Sequence, residues 1–239
     1  PLLIVAGAGS GKTKVLTSRI AHILNENKAF PNQILAVTFT NKAAREMQNR
    51  VGKILNNQEV GLPWLGTFHS ICAKILRRHA KAVNLNQNFT IIDQDDQSRL
   101  IKSICNAENI DIKKISPNFI ISLINKWKNF GWYPENVALK KSENLEKNLL
   151  KIYKIYQTKL TDLNACDFGD LILHCVSIFE KNQDINEMYS KNFKYILVDE
   201  YQDTNFIQSK WLKLLTKNHD NICCVGDDDQ SIYSWRGAE

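Results

Sequence analysis

The chain has 239 residues, 44% of them hydrophobic and 23% charged, enough for one large domain or two small ones around a real core. No stretch approaches the ~18 apolar residues of a membrane span, and the first residues lack the basic start of a secretory signal, so the sequence points to a cytoplasmic protein. The net charge is +6, and the segment from Arg99 to Ala165 carries twelve Lys/Arg against six Asp/Glu, which equals the whole excess. That segment reads equally as a solvated helical surface or as a face for a polyanion. Six cysteines include no C-x-x-C pair and five histidines are scattered, so buried small hydrophobes in a reducing compartment are expected rather than a metal cluster. Asparagine is abundant along with Lys and Ile, a bias attributed to base composition rather than function.

In chain order, the apolar run Leu2–Ala6 predicts a strand, and Thr13 to about Asn27 a helix with Leu16, Ile20, Ile23 and Leu24 on one face. Between them lies Ala6-Gly7-Ala8-Gly9-Ser10-Gly11-Lys12-Thr13. Strand, glycine-rich turn and helix form the context of a phosphate-binding loop, whose N–H groups turn inward at the positive end of the helix. Lys12 is placed to reach the β- and γ-phosphates, and the Thr13 hydroxyl to hold Mg²⁺. Ala6 stands where the strict pattern has glycine.

Ile34–Phe39 predicts a second strand, Asn41 to about Leu55 a second helix, Leu65-Gly66-Thr67 a short strand, and Phe68 to about Ala82 a third helix. This is the rhythm of a parallel α/β sheet. From about Asp95 to Lys181 the pattern turns helical, with Ser116-Pro117 as an N-cap and first-turn proline and Gly131 as a stop. Strand signals return at Tyr195–Val198 and Ile222–Val225. An insertion into a sheet-building region accounts for this better than two domains in tandem.

After the strand Ile196-Leu197-Val198 come Asp199 and Glu200. Asp199 is placed to coordinate Mg²⁺ directly or through water, and Glu200 to act as general base on the attacking water. A kinase-like phosphotransferase fits these two motifs as well.

Four blocks taken together carry more information: Thr38-Phe39-Thr40-Asn41-Lys42-Ala43-Ala44, Gly66-Thr67-Phe68-His69-Ser70, Asp199-Glu200-Tyr201-Gln202-Asp203-Thr204, and Val225-Gly226-Asp227-Asp228-Asp229-Gln230-Ser231-Ile232-Tyr233-Ser234-Trp235-Arg236-Gly237-Ala238. In order and spacing they resemble the UvrD/PcrA/Rep family of superfamily 1 DNA helicases, over essentially the whole chain. Asp167-Phe168-Gly169-Asp170-Leu171 looks like a further landmark of that family.

The resemblance implies a RecA-like P-loop NTPase core with a parallel sheet, formed by residues 1–85 and 191–239. A mainly helical domain, 1B, is inserted at 86–190. It implies ATP and Mg²⁺ as cofactors, with Lys14 at the position of an adenine-stacking arginine; lysine stacks poorly. Gln230 matches a γ-phosphate sensor, and Arg236 a residue linking γ-phosphate to the DNA path. Phe39, His69, Tyr233 and Trp235 match positions lining a single-stranded DNA path, where aromatic stacking tolerates any sequence. Core packing is the competing reading for each, and Lys42 and Arg45 could touch phosphates or lie on a solvated helix face.

The expected parent activity is 3′ to 5′ translocation on single-stranded DNA and unwinding at duplex junctions, in repair or replication. Alternatives are the motor part of a recombination helicase-nuclease or a non-catalytic nucleotide- and DNA-binding fragment. The chain opens just before the P-loop strand and closes just after the third motif. The second RecA-like domain with its arginine fingers is therefore expected elsewhere, in cis or trans, and this chain alone is expected to hydrolyse ATP very slowly.

Overall fold

The computed structural model describes residues 1–7, 10–56, 60–110, 115–137 and 144–227. The opening elements are β1 (Leu2–Val5), α1 (Lys12–Asn25), β2 (Ile34–Thr38), α2 (Asn41–Ile54), β3 (Leu65–Thr67) and α3 (Phe68–His79). Next come β4 (Thr90–Ile91), α4 (Gln94–Ala107), α5 (Pro117–Asn129), α6 (Asn144–Asp162) and β5 (Ala165–Cys166). The chain continues through α7 (Phe168–Lys181), α8 (Gln183–Asn192), β6 (Tyr195–Val198), α9 (Phe206–Leu215) and β7 (Ile222–Gly226).

Five strands form one sheet in the order β1-β7-β6-β2-β3, every neighbouring pair parallel. Parallel strands covered on both faces should be apolar at every position, and β2 is buried throughout. The period of two sorts its side chains: Ile34 and Ala36 join Leu197, Cys223 and Val225 under α1 and α2. Leu35 and Val37 join Ile196, Val198 and Cys224 under α3, α7, α8 and α9. A slip of one residue would exchange the two faces, so the pattern fixes the register.

The insertion has its own apolar cluster, built from Ile101, Ile104, Ile120, Ile124, Trp127, Leu149, Ile152, Tyr153 and Tyr156 on α4, α5 and α6. A two-stranded parallel pair, Thr90 with Ala165 and Ile91 with Cys166, closes it where the chain leaves and re-enters the sheet region. The periodicity did not signal this pair, because two-residue strands carry no alternation. Leu171, Ile172, Val176, Tyr189 and Phe193 of the α7–α8 segment are buried with the sheet, in the cluster that holds α3 and α9.

Helix ends follow the sequence. Ser116 accepts a hydrogen bond from Phe119 N ahead of Pro117, and Gly131 takes φ 75° beyond the end of α5. The abundant asparagines also have structural work. Asn27, Asn56, Asn84, Asn109 and Asn164 all adopt left-handed φ, each just past a helix or 3₁₀ turn. All six cysteines are buried and free. Among the described residues no helix is long and apolar enough to cross a membrane.

Candidate nucleotide site and aromatic edge

The strands β1, β7 and β6 are adjacent, so their carboxyl ends bring three segments together, as open parallel sheets do around ligands. After β1, Ser10 Oγ donates to Gly7 O at 2.6 Å. Gly11 caps α1 with φ 86° and ψ 25°, a left-handed backbone that a side chain would strain. No side chain among the described residues caps α1, and its first turn carries Lys12, Thr13 and Lys14 with no acid. Unclaimed N–H groups and the helix dipole there favour an anion.

Lys12 Nζ lies 3.2 Å from Asp227 Oδ2 at the end of β7, the two side chains 9% and 6% exposed. Thr13 Oγ1 donates to Asp199 Oδ2 at 3.4 Å, at the end of β6. Burial pushes the Asp199 carboxyl up to about 6, with the Glu200 charge adding to the rise; Thr13 and Lys12 pull it back only in part. Two oxygen donors, a threonine hydroxyl and a carboxylate, suit a hard cation such as Mg²⁺, which takes one or two carboxylates and completes its shell with phosphate and water. Among the described residues there is no cluster of three or more His, Cys, Asp or Glu that could hold a metal ion.

Glu200 is the sixth described non-glycine residue with left-handed φ, at 51°, and the one that is not asparagine. Held off its ordinary backbone region, it is fixed by Gln202, whose Nε2 donates to Glu200 Oε2 at 2.7 Å. The Oε1 of the same amide accepts from Asp227 N at 3.0 Å. A Cβ on Gly226 would lie 2.8 Å from Gln202 Oε1, so glycine at the end of β7 makes room for this bridge. Sequence reasoning missed both Gln202 and Asp227. A rule that any carboxylate ending a central strand is a candidate would have found Asp227; nothing local marks Gln202.

The remaining strands, β2 and β3, end at the same edge of the sheet and deliver aromatic residues. Thr40 caps α2 by accepting from Ala43 N, and Thr67 caps α3 by accepting from Ser70 N. Phe39 is half-buried, edge-on to Phe68 with centroids 5.5 Å apart. His69, also half-buried, stacks on Phe168 at 4.0 Å and 22°, and Phe168 is 55% exposed. Phe168 is thus a further aromatic residue of this edge, supplied by the first position of α7. Lys14, Lys42 and Arg45 are exposed. Ala8, Gly9, Gln230, Tyr233, Trp235 and Arg236 lie outside the described residues.

A parallel sheet with a glycine-rich loop, lysine and strand-end carboxylates at one edge defines a P-loop protein of the α/β class. Residues 1–239 match the family model described as UvrD/REP helicase N-terminal domain, and the chain belongs to that family. It is 49% identical over 242 residues to a probable DNA helicase II homolog of Rickettsia conorii, matching all of this chain and 37% of that protein. DNA helicase II of Rickettsia typhi is 50% identical over 243 residues, with 36% of it covered. The ATP-dependent DNA helicase PcrA of Staphylococcus aureus is 47% identical over 239 residues, with 33% of it covered. The chain therefore spans about a third of the length of these relatives.

Proposed function

We propose that this chain is the ATP-binding part of an ATP-dependent DNA helicase that moves 3′ to 5′ along single-stranded DNA and separates duplex strands, in repair or replication. The observation that carries the reading is the sharing of one sheet edge. Lys12, Thr13, Asp199 and Glu200 gather at its β1–β7–β6 end, and Phe39, His69 and Phe168 at its β2–β3 end.

In this reading Lys12 leaves Asp227 and binds the β- and γ-phosphates, while the first-turn N–H groups of α1 take the remaining oxygens. Thr13 and Asp199 would hold Mg²⁺, which neutralises charge on the phosphates. Glu200, fixed by Gln202, accepts the proton of the attacking water. Gln230 senses the γ-phosphate, and Arg236 links it to the DNA path. Phe39, His69, Phe168, Tyr233 and Trp235 stack on successive bases, at about 1–3 kcal/mol each. The inserted 1B domain is assigned to the helical cluster of α4, α5 and α6. We place its end near Cys166 rather than at 190, because α7 and α8 pack with the sheet. Arginine fingers come from a second RecA-like domain, in cis or trans, consistent with relatives three times as long.

The test is titration of the chain with fluorescein-labelled dT16 and with Mg-ATP. The expected result is binding of both, with Lys12→Ala losing nucleotide alone and Phe168→Ala losing DNA alone. Binding of Mg-ATP without any affinity for dT16 would contradict the DNA half of the reading.

A further inference from the structure

A second buried charge cluster lies where the helical insertion meets the sheet region, and the nucleotide chemistry makes no use of it. Lys128, near the end of α5, is 0% exposed along its side chain. Its Nζ lies 2.6 Å from Asp167 Oδ2 and 2.7 Å from Asp170 Oδ1, both carboxylates equally enclosed. The two aspartates form the capping box of α7: Asp170 N donates to Asp167 Oδ1 at 2.9 Å, and Asp167 N to Asp170 Oδ2 at 3.1 Å. Tyr156 OH donates to Asp167 Oδ2 at 2.9 Å, and Gln157 Nε2 to Asp170 Oδ1 at 3.0 Å, both from α6. His174 Nε2 faces Asp170 Oδ1 from one turn along α7, at 3.9 Å. Gly169 lets the lysine stem pass, since a Cβ there would sit 3.0 Å from Lys128 Cδ.

Phe168 is held between these two aspartates. Its neighbours in sequence are fixed by three buried charges, while its own ring is exposed and lies on His69. The lysine belongs to the insertion, next to Trp127 of that apolar cluster, and α7 belongs to the sheet region. The chain enters α7 directly from β5, and this ion cluster adds a second link between the insertion and the first turn of α7; Asn129 and Phe130 separately meet Asn205 and Phe206 at the start of α9.

We propose that Lys128 is a positioning residue: through Asp167 and Asp170 it couples the docking of the helical insertion to the placement of the Phe168 ring on His69. The coupling to DNA rests on the base-stacking role proposed above; the coupling to the ring does not. Lys128 touches neither DNA nor nucleotide. It acts by fixing the turn that aims Phe168, so a shift of the insertion becomes a shift of the stack.

The experiment is ¹H NMR of the histidine ring protons of the whole chain, with His69 assigned through His69→Gln. A stacked phenyl ring shifts those protons upfield, and Phe168→Ala gives the unstacked value. The variants are Lys128→Met and the pair Lys128→Met/Asp170→Asn, which keeps the net charge of the buried cluster. His79, edge-on to Tyr189 in the sheet cluster, reports that the core is intact. The expected result is movement of the His69 resonance to the Phe168→Ala value with His79 unmoved, and a fall in dT16 affinity of about tenfold, matching Phe168→Ala. A His69 resonance that stays at its wild-type position without Lys128 overturns the proposal. Loss of the His69 and His79 signals together in both variants also overturns it, because Lys128 would then hold up the core rather than aim one ring. If the stack loosens while neither Phe168→Ala nor the paired variant changes dT16 affinity, the positioning role stands and the DNA reading fails.

Discussion

Two lysine–aspartate clusters in this chain use the same residue types to opposite ends. At Lys128 the contacts to Asp167 and Asp170 are 2.6 and 2.7 Å, the lysine is wholly enclosed, and tyrosine, glutamine and backbone donors complete the carboxylates. At Lys12 the contact to Asp227 is 3.2 Å, Thr13 reaches Asp199 at 3.4 Å, and the lysine keeps 9% exposure. The first cluster is closed and tightly bonded, although burial and the Asp170 charge push the Asp167 carboxyl up. The second is looser and partly reachable, and Asp199 is pushed up to about 6 by burial and by Glu200. A buried charge locked in short, enclosed contacts holds structure together. One held by longer, partly reachable contacts is poised to exchange its partner for a ligand's charge.

The difference can be broken most severely at Lys12 itself. If the proposed function holds, Lys12→Ala should lower the chain's slow hydrolysis of Mg-ATP by about 10²–10³-fold in single-turnover measurements against wild type, because the charge proposed to meet the transferring phosphoryl group is gone. In stability the order reverses. Lys128→Met strands buried carboxylates and should cost about 3–5 kcal/mol in urea unfolding, whereas Lys12→Met should cost no more than about 1 kcal/mol. Equal losses at the two sites would erase the distinction.

The next effect is a gain. The folded Asp199 carboxyl sits at about 6 against an ordinary 3.8, so folding favours its protonated form. Its stabilising contribution is complete below pH 3.8 and lost as pH rises through about 6, a change of about 3 kcal/mol. In EDTA at pH 8, Asp199→Asn should therefore unfold at a higher temperature than wild type. A lower unfolding temperature would show that the Asp199 charge is satisfied in the folded chain.

The smallest effect belongs to His174, where burial holds the ring below its ordinary 6.5 despite Asp170. A base with a lowered folded value stabilises above its unfolded value and loses that contribution as pH falls through the folded one. Measured in the Asp199→Asn protein, where the opposing Asp199 titration is removed, thermal unfolding should thus move to lower temperature on acidification below about pH 6.5, and His174→Gln should flatten that slope.

Much of the sheet was legible because its signals are local and periodic. The apolar runs at Ile34 and Tyr195, the loop ending in Lys12-Thr13 and the Ser116-Pro117 start all appear where the sequence places them. The site was legible where strand ends carry acids, as at Asp199 and Glu200. What escaped depends on contacts distant in sequence. Lys128 counted toward the basic excess of the middle segment, yet it is enclosed and paired with residues 39 and 42 positions further on. Gln202 earns its place only because β7 brings Gly226 and Asp227 beside it. Phe168 sat in a recognisable block without a role, since its stacking partner comes from the end of β3. The asparagine surplus looked like a matter of composition, although helix ends use it for left-handed turns.

The central claim is that the edge formed by β1, β7 and β6 exchanges the Asp227 carboxylate for a nucleotide's phosphates at Lys12. Calorimetric titration of the wild-type chain with Mg-ATP, beside Lys12→Ala, tests it most directly. The account predicts saturable binding by wild type and a loss of about a hundredfold or more in the variant. Equal affinity in the two proteins would mean that phosphates do not reach Lys12, and the assignment of this edge as the nucleotide site would be wrong.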